Sequence, residues 1–247
     1  MEQLTGRVAV VTGAGSGIGL AVTEAFAAEG MQVLMLDVEA ERLRAEAERL
    51  AAAGLAVDSL VVDVTDPEAV EAAGAAAVER FGALHVAVNN AGIVKFGLMW
   101  EQSLEDWRAV IDVNLWGVVH GIRSFVPRIL ATGEEGHVVN TASMAALMPF
   151  ANLAPYTVSK HGVLGLSDTL RDELRQVGAP VGVSVVFPGL IHTRINPGPG
   201  HDPGEVAANV VDAIRRNRSY VYTDHDFADE VPQRLQALID SRSEVVG

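Results

Sequence analysis

The 247-residue chain predicts a doubly wound α/β domain: a mostly parallel, seven-stranded sheet with helices on both faces. Three observations carry that expectation. Short β-branched apolar runs alternate with longer helical stretches from the first residues onward, a glycine-rich turn joins the first run to the first helix, and no linker, repeat or low-complexity segment breaks the alternation. Strands apolar throughout their length are buried on both faces, which places helices above and below them. One domain over residues 1–247 is therefore expected.

The elements follow in order. Val8 to Val11 is the first strand, and a helix runs from the glycine turn to about Glu29. Gln32 to Leu36 is the second strand, ending at Asp37, and a charged, alanine-rich helix spans Glu39 to Ala53 before Gly54. Ala56 to Val62 is the third strand. Asp63 follows it, and Thr65-Asp66-Pro67 opens the next helix with a capping side chain and a first-turn proline. Val86 to Val88 is the fourth strand, and Leu104 to about Leu130 reads as one long helix. His137 to Asn140 is the fifth strand. The helix from Pro155 carries Val163, Leu166, Leu170, Leu174 and Val177 at three- and four-residue steps, an apolar face. Val181 to Phe187 is the sixth strand, Glu205 to Arg216 a shorter helix, and Tyr220 to Tyr222 the seventh strand.

Composition narrows function before any motif does. A net charge of −14 disfavours nucleic acid and anionic membrane surfaces, because phosphate contacts need Lys and Arg. With no cysteine, disulfides, thiolate catalysis and cysteine-ligated zinc are out. Histidines and carboxylates show no metal-ligand spacing, so no metal is expected. The start of the chain lacks the pattern of a secretory signal, and no apolar run approaches the ~18 residues of a membrane span, which predicts a cytoplasmic protein.

Thr12-Gly13-Ala14-Gly15-Ser16-Gly17-Ile18-Gly19 lies between the first strand and the first helix. Glycines permit a tight turn and close backbone approach, and a helix N-terminus offers free N–H groups to a pyrophosphate. The spacing departs from G-x-G-x-x-G, since Ile18 stands three residues after Gly15. Asp37 ends the second strand about 20 residues on, where a carboxylate binds an adenosine ribose 2′-OH and repels a 2′-phosphate. Neither Ala14 nor Val38 supplies a basic side chain, so NAD is favoured over NADP, with Arg42 the one candidate for holding a phosphate.

Tyr156 and Lys160 are four residues apart, on one face of a helix with Cβ atoms roughly 5–6 Å apart. An ammonium at that range favours the phenolate and is expected to lower the tyrosine pKa toward neutrality, making it a poised acid/base. The turn motif T-G-x-x-x-G-I-G, Asn89-Asn90-Ala91-Gly92, Ser143, Tyr156-x-x-x-Lys160, and Pro188-Gly189 with Thr193 come in this order. Together they resemble the short-chain dehydrogenase/reductase family over Arg7 to about Thr193.

That resemblance implies a Rossmann-type fold. It implies cofactor contacts from Gly13, Ser16, Gly17, Ile18, Gly19, Asp37, Asp63 and Val64 beside the adenine, and Asn90, Ala91 and Gly92 along the cleft. Pro188, Gly189 and Thr193 would lie toward the nicotinamide carboxamide. It implies a catalytic set in which Ser143 hydrogen-bonds the substrate oxygen, Tyr156 is the acid/base, and Lys160 tunes the tyrosine and holds the nicotinamide ribose. Asn114 would support a water chain leading from the lysine to solvent.

The expected activity is reversible oxidation of a secondary alcohol to a ketone. An NADP-dependent carbonyl reductase, a silent nucleotide sensor and an epimerase or dehydratase are the weighed alternatives. The silent sensor is disfavoured by the complete Ser-Tyr-Lys set, and the last by the short C-terminal region. Ile93 to Trp100, Met144 to Leu153 and Leu190 to about Asp202 should surround an apolar or bulky alcohol or ketone substrate, through Val94, Phe96, Met99, Trp100, Leu147 and Phe150 among others. The short third segment, with Pro197, Gly198, Pro199 and Gly200, suggests an open pocket. His192 and Lys95 are possible substrate contacts, whereas His120 and His161 read as structural. A homo-oligomer, tetramer or dimer, is implied through the two long helices.

Overall fold

In a computed structural model of the protein, which describes residues 1–244, seven strands form one wholly parallel sheet in the order β3-β2-β1-β4-β5-β6-β7. The strands are β1 (Val8–Thr12), β2 (Gln32–Asp37), β3 (Val57–Val61), β4 (Val86–Asn89), β5 (Gly136–Thr141), β6 (Val181–Phe187) and β7 (Tyr220–Tyr222). The helices are α1 (Gly17–Ala28), α2 (Ala40–Ala52), α3 (Pro67–Phe81), α4 (Leu104–Ile111), α5 (Gly117–Ala131), α6 (Ala154–Gln176), α7 (Pro203–Arg216) and α8 (Glu230–Asp240).

Side-chain alternation sorts the helices between the faces. Ala9 and Val11 of β1, Val33 and Met35 of β2, and Val86 and Val88 of β4 point to one side. There they meet Val22 and Phe26 of α1, Leu43 and Leu50 of α2, and Val210 and Ile214 of α7. Val8, Val10, Leu34, Leu36 and Ala87 point the other way, onto Val70 and Ala73 of α3, Phe125 and Ile129 of α5, and Leu170 and Leu174 of α6. Each face thus has its own apolar core, and the edge strands β3 and β7 leave side chains partly open to water, Asp58 and Tyr220 among them.

Local signals place the helix ends. Asp66 caps α3 by accepting from the Glu68 and Ala69 N–H groups, Pro67 opens the helix, and Gly82 at φ +84° ends it. Asp202 caps α7 in the same way. At α1, by contrast, Ser16 makes no side-chain capping bond, which leaves the first N–H groups of that helix for something else.

Two departures from the sequence reading matter for the site. The expected single helix from Leu104 is α4 and α5 joined by a π-helical turn, Asp112–Trp116, with Asn114 at its centre. Helix α8 was not anticipated, and its Val231, with Phe227 just before it, packs on Met144, Ala146 and Phe187.

The order of strands reverses between β1 and β4. In an open parallel sheet such a switch point leaves a crevice beyond the carboxyl ends of the strands. The loops after β1, β2, β4, β5 and β6 all open there, carrying Gly13, Asp37, Asn90, Ser143 and Pro188.

Candidate active site

At the crevice, the glycine turn is built for close approach. Gly13 and Gly17 have φ of +66° and +54°, a conformation that disfavours other residues. A Cβ on Gly19 would lie 2.1 Å from the Gly13 carbonyl oxygen, so helix α1 reaches the turn only because that atom is missing. Asp37 ties the turn to β2, accepting from Gly15 N–H at 2.9 Å and from Glu39 N–H at 3.0 Å. The chemistry fits a dinucleotide: uncapped helical N–H groups for phosphate at Gly17, Ile18 and Gly19, and a carboxylate at the strand-two end. Arg42 leans to Glu39 at 3.9 Å, and Arg194 reaches the same carboxylate at 3.6 Å, so both arginines are paired with an acid.

The far wall of the crevice is held by Thr12. Its hydroxyl accepts from the N–H groups of Asn90 and Ala91 at 2.8 and 3.0 Å. Asn90 Nδ2 returns a bond to the Thr12 carbonyl, and the Thr141 hydroxyl donates to Asn90 Oδ1 at 3.3 Å, joining the ends of β1, β4 and β5. Beneath them the buried amides of Asn89 and Asn140 bond at 2.8 Å, and Asn140 donates to Ser167. Asp63 is exposed and its Oδ1 accepts from Thr65 N–H and hydroxyl, while Val64 is buried and its carbonyl faces Nδ1 of His120 at 2.9 Å.

Ser143, Tyr156, Lys160 and Asn114 converge on the next stretch of the cleft. Ser143 sits in extended backbone after β5 and accepts from Ala145 N–H at 3.1 Å, which fixes its hydroxyl at the start of a short 3₁₀ turn, Met144–Ala146. Tyr156 stands in the first turn of α6, near enough to that hydroxyl for Ser143 to favour its phenolate. One turn on, Lys160 is only 3 % exposed, donates to the Thr141 carbonyl at 2.8 Å, and holds its Nζ 5.5 Å from the tyrosine ring centroid.

Asn114 is fully buried. Its Oδ1 accepts from Ile93 N–H at 2.8 Å, and its Nδ2 donates to the Ile93 carbonyl at 3.0 Å and to Ser159 at 3.2 Å. A Cβ on Gly92 would stand 3.4 Å from Asn114 Oδ1 and 3.7 Å from Lys160 Nζ, so Gly92 leaves room between them.

One electrostatic expectation is corrected. The Tyr156 pKa is raised rather than lowered, because enclosure penalises the phenolate more than the nearby Ser143 hydroxyl stabilises it. Burial also pushes Lys160 down to about 8. The pair shares one low-polarity pocket, and each group resists its charged form there.

The loop after β6 closes the front. Pro188 carbonyl accepts from Met144 N–H at 3.0 Å, beside Ser143. Gly189 N–H donates to Asp224 at 2.9 Å and Leu190 N–H to Asp226 at 3.0 Å. Further along, the Thr193 methyl lies 3.1 Å from where a Cβ on Gly17 would be, so the loop is folded down on the glycine turn rather than splayed open. His192 is exposed, with Nδ1 2.9 Å from the Gly198 carbonyl inside this same loop, and Lys95 pairs with Asp106 at 3.2 Å. Phe96, Met99 and Trp100 lie 71, 60 and 80 % exposed at the mouth, whereas Met144, Leu147 and Phe150 pack into the core beneath α8. The apolar lining foreseen from the sequence is therefore divided between pocket mouth and core.

The sequence reading missed Thr12, Asn140, Ser159, Asp224 and Asp226. Each is a small polar residue whose role exists only once separate strands and loops meet. Of these, Thr12 and Ser159 stood inside motifs already singled out.

The profile of the family described as short chain dehydrogenase matches residues 7–202. A 1-deoxy-11-beta-hydroxypentalenate dehydrogenase of Streptomyces avermitilis is 41 % identical over 236 residues, covering 91 % of this chain and 87 % of that protein. The protein of the same name from Streptomyces arenae is 40 % identical and covers 95 and 86 %. Among solved structures, a short chain dehydrogenase/reductase from Burkholderia phymatum in complex with NAD superimposes with a TM-score of 0.94 at 33 % identity, covering 98 % of this chain and 97 % of that one.

Proposed function

The chain belongs to the short-chain dehydrogenase/reductase family of oxidoreductases, and from that premise we propose that it interconverts a bulky, apolar secondary alcohol and its ketone with NAD as the preferred cofactor. The observation that carries this reading is the meeting of Ser143, Tyr156 and Lys160 at one point of the crevice.

Ser143 orients the substrate oxygen, Tyr156 takes the hydroxyl proton on oxidation and returns it on reduction, and the Lys160 ammonium stabilises the phenolate so formed. When bound, the nicotinamide supplies the acceptor or donor of the hydride at the carbinol carbon. Gly13 to Gly19 and the open N-terminus of α1 would hold the pyrophosphate, Asp37 the adenosine ribose, Lys160 the nicotinamide ribose, and Thr193 the carboxamide side. Asn114 anchors the Ile93 backbone beside Lys160 and supports the proton path from the lysine.

Support for NAD over NADP comes from two acids, Asp37 and Glu39, at the ribose end, with Arg42 and Arg194 already drawn to Glu39. Support for an apolar substrate comes from Phe96, Met99 and Trp100 at the mouth and from relatives named for a hydroxypentalenate. The test is a panel of steroid, terpenoid, cyclic and aliphatic secondary alcohols read by NADH absorbance, with NADH and NADPH dissociation constants measured alongside. Turnover of apolar ring alcohols and tighter NADH binding are expected. Preference for small polar alcohols, or tighter NADPH binding, would sink the respective half of the proposal.

A further inference from the structure

Outside the catalytic set, charged groups gather where the loop after β6 meets the loop between β7 and α8. Asp224 Oδ2 accepts from Gly189 N–H at 2.9 Å and from the Thr223 hydroxyl at 2.8 Å, and Oδ1 accepts from Asp226 N–H at 2.9 Å. Asp226 Oδ2 accepts from Leu190 N–H at 3.0 Å, and Oδ1 lies 3.4 Å from His201 Nε2. A Cβ on Gly189 would come within 2.6 Å of both carboxylates, so the two acids close directly over a backbone that only glycine leaves bare.

His201 ties the other end of the same loop. Its N–H donates to the Leu190 carbonyl at 2.7 Å and its carbonyl accepts from His192 N–H at 2.9 Å. The ligand atoms of His201, Asp224 and Asp226 lie within 4.8 Å of one another, but every carboxylate oxygen already has a protein partner, which describes a clasp rather than a cation cage.

We infer that Asp224 and Asp226 are positioning residues for the nicotinamide half of the crevice, with His201 as a pH-sensitive fastener of the same clasp. The inference rests on the dehydrogenase reading above, and its two acids lie beyond residue 202, where the family match ends. The route from clasp to chemistry is short. Gly189 follows Pro188, whose carbonyl accepts from Met144 N–H next to Ser143, and three residues beyond Leu190 stands Thr193 over Gly17. Releasing Gly189 and Leu190 would loosen the serine turn and the Thr193 arm together.

The charged groups facing His201 are Asp226 and Asp224 from the β7–α8 loop and Glu205, 3.9 Å away on α7. The hydrogen bond to Asp226 and the surrounding acids raise the histidine pKa, and Asp226, held by Leu190 N–H and His201, stays ionised below the usual carboxylate range. The ion pair is therefore complete from mildly acidic pH up to the raised histidine pKa, and is lost as pH climbs through it.

Hydrogen exchange of the full-length protein without cofactor, followed on peptides covering 188–195, reads the clasp directly. NADH titration and steady-state kinetics read its consequence. Asp226→Ala should speed exchange in these peptides about tenfold or more and weaken NADH binding about tenfold, with Asp226→Asn restoring most of both because the amide oxygen still accepts from Leu190. Exchange corrected for intrinsic chemistry should rise twofold to fivefold in the wild type as His201 deprotonates, the range an exposed pair supports, and stay flat in His201→Gln and Asp226→Asn. If Asp226→Ala does not fold, those two variants decide. Unchanged exchange, or faster exchange with unchanged NADH affinity and kcat, overturns the positioning role. A wild-type protein that binds no NADH overturns instead the dehydrogenase reading on which it rests.

Discussion

Tyr156 and Lys160 show why residue spacing alone misjudges electrostatics. Their four-residue separation is real, but the pocket that brings them together also strips them of water, so the lysine falls to about 8 and the phenol rises. A lysine whose folded pKa lies below its unfolded value of about 10.4 penalises folding while charged, and that penalty fades as pH rises from about 8 toward 10. Relative to Lys160→Met, the cofactor-free protein should therefore gain about 2 kcal/mol or more of stability between pH 7 and pH 10, measured by urea denaturation. A constant difference would show the ammonium to be better solvated than its 3 % exposure suggests. Tyr156→Phe should cut kcat by several orders of magnitude and leave NADH affinity nearly intact, since the ring stays and only the proton carrier goes. Gly19→Ala should do the reverse: its Cβ would strike the Gly13 carbonyl at 2.1 Å, so NADH affinity should drop more than about tenfold while the sheet folds as before.

Among the elements, the π turn at Asp112–Trp116 does what a regular helix could not. One extra residue per turn brings Asn114 inward to grip both polar groups of the Ile93 backbone and Ser159 at once. Asn114→Ala leaves those buried groups unpaired and should cost about 2–3 kcal/mol, lowering Tm by about 5–10 °C, with a larger loss in kcat than in NADH affinity. Retention of wild-type Tm would show that Ile93 finds other partners. In the sequence, Leu104 to Leu130 reads as one helix because apolar periodicity is blind to a single added residue, so the Asn114 role came from resemblance, not pattern. Strands were easier: Val8 to Val11 is apolar on every position and Val181 to Phe187 on all but Gly182 and Ser184, and β-branching there leaves little alternative. Helix α8 carries Val231, Leu235, Leu238 and Ile239 at helical spacing but over only eleven residues, and of these only Val231 is buried, so the apolar pattern reports little of its packing.

For the whole molecule, the crevice at the β1–β4 switch point was legible from the glycine turn and Asp37, two local signals that fix which ends of which strands must meet. What holds the crevice shut was not, since Thr12 to Asn90 and Gly189 to Asp224 are contacts between residues 78 and 35 positions apart. A dinucleotide that binds only the folded chain stabilises it by mass action, so saturating NADH at about 100 times its dissociation constant should raise Tm by about 5–10 °C, and NADPH by less. Leu104 and Val158 leave apolar side chains 71 and 51 % exposed on α4 and α6, the helices proposed to pair between subunits. Leu104→Glu should shift the mass seen by light scattering toward the monomer, and an unchanged mass would move the contact elsewhere.

The pairing of Gly189 with Asp224 also has a consequence for the order of events during synthesis. A nascent chain emerges N-terminus first, and the strands that bear the glycine turn and Asn90 can associate long before residue 224 leaves the ribosome. The half of the protein proposed to hold adenosine would thus be assembled early, while the half proposed to align the reacting carbon waits for the last strand, which would withhold redox chemistry from unfinished chains.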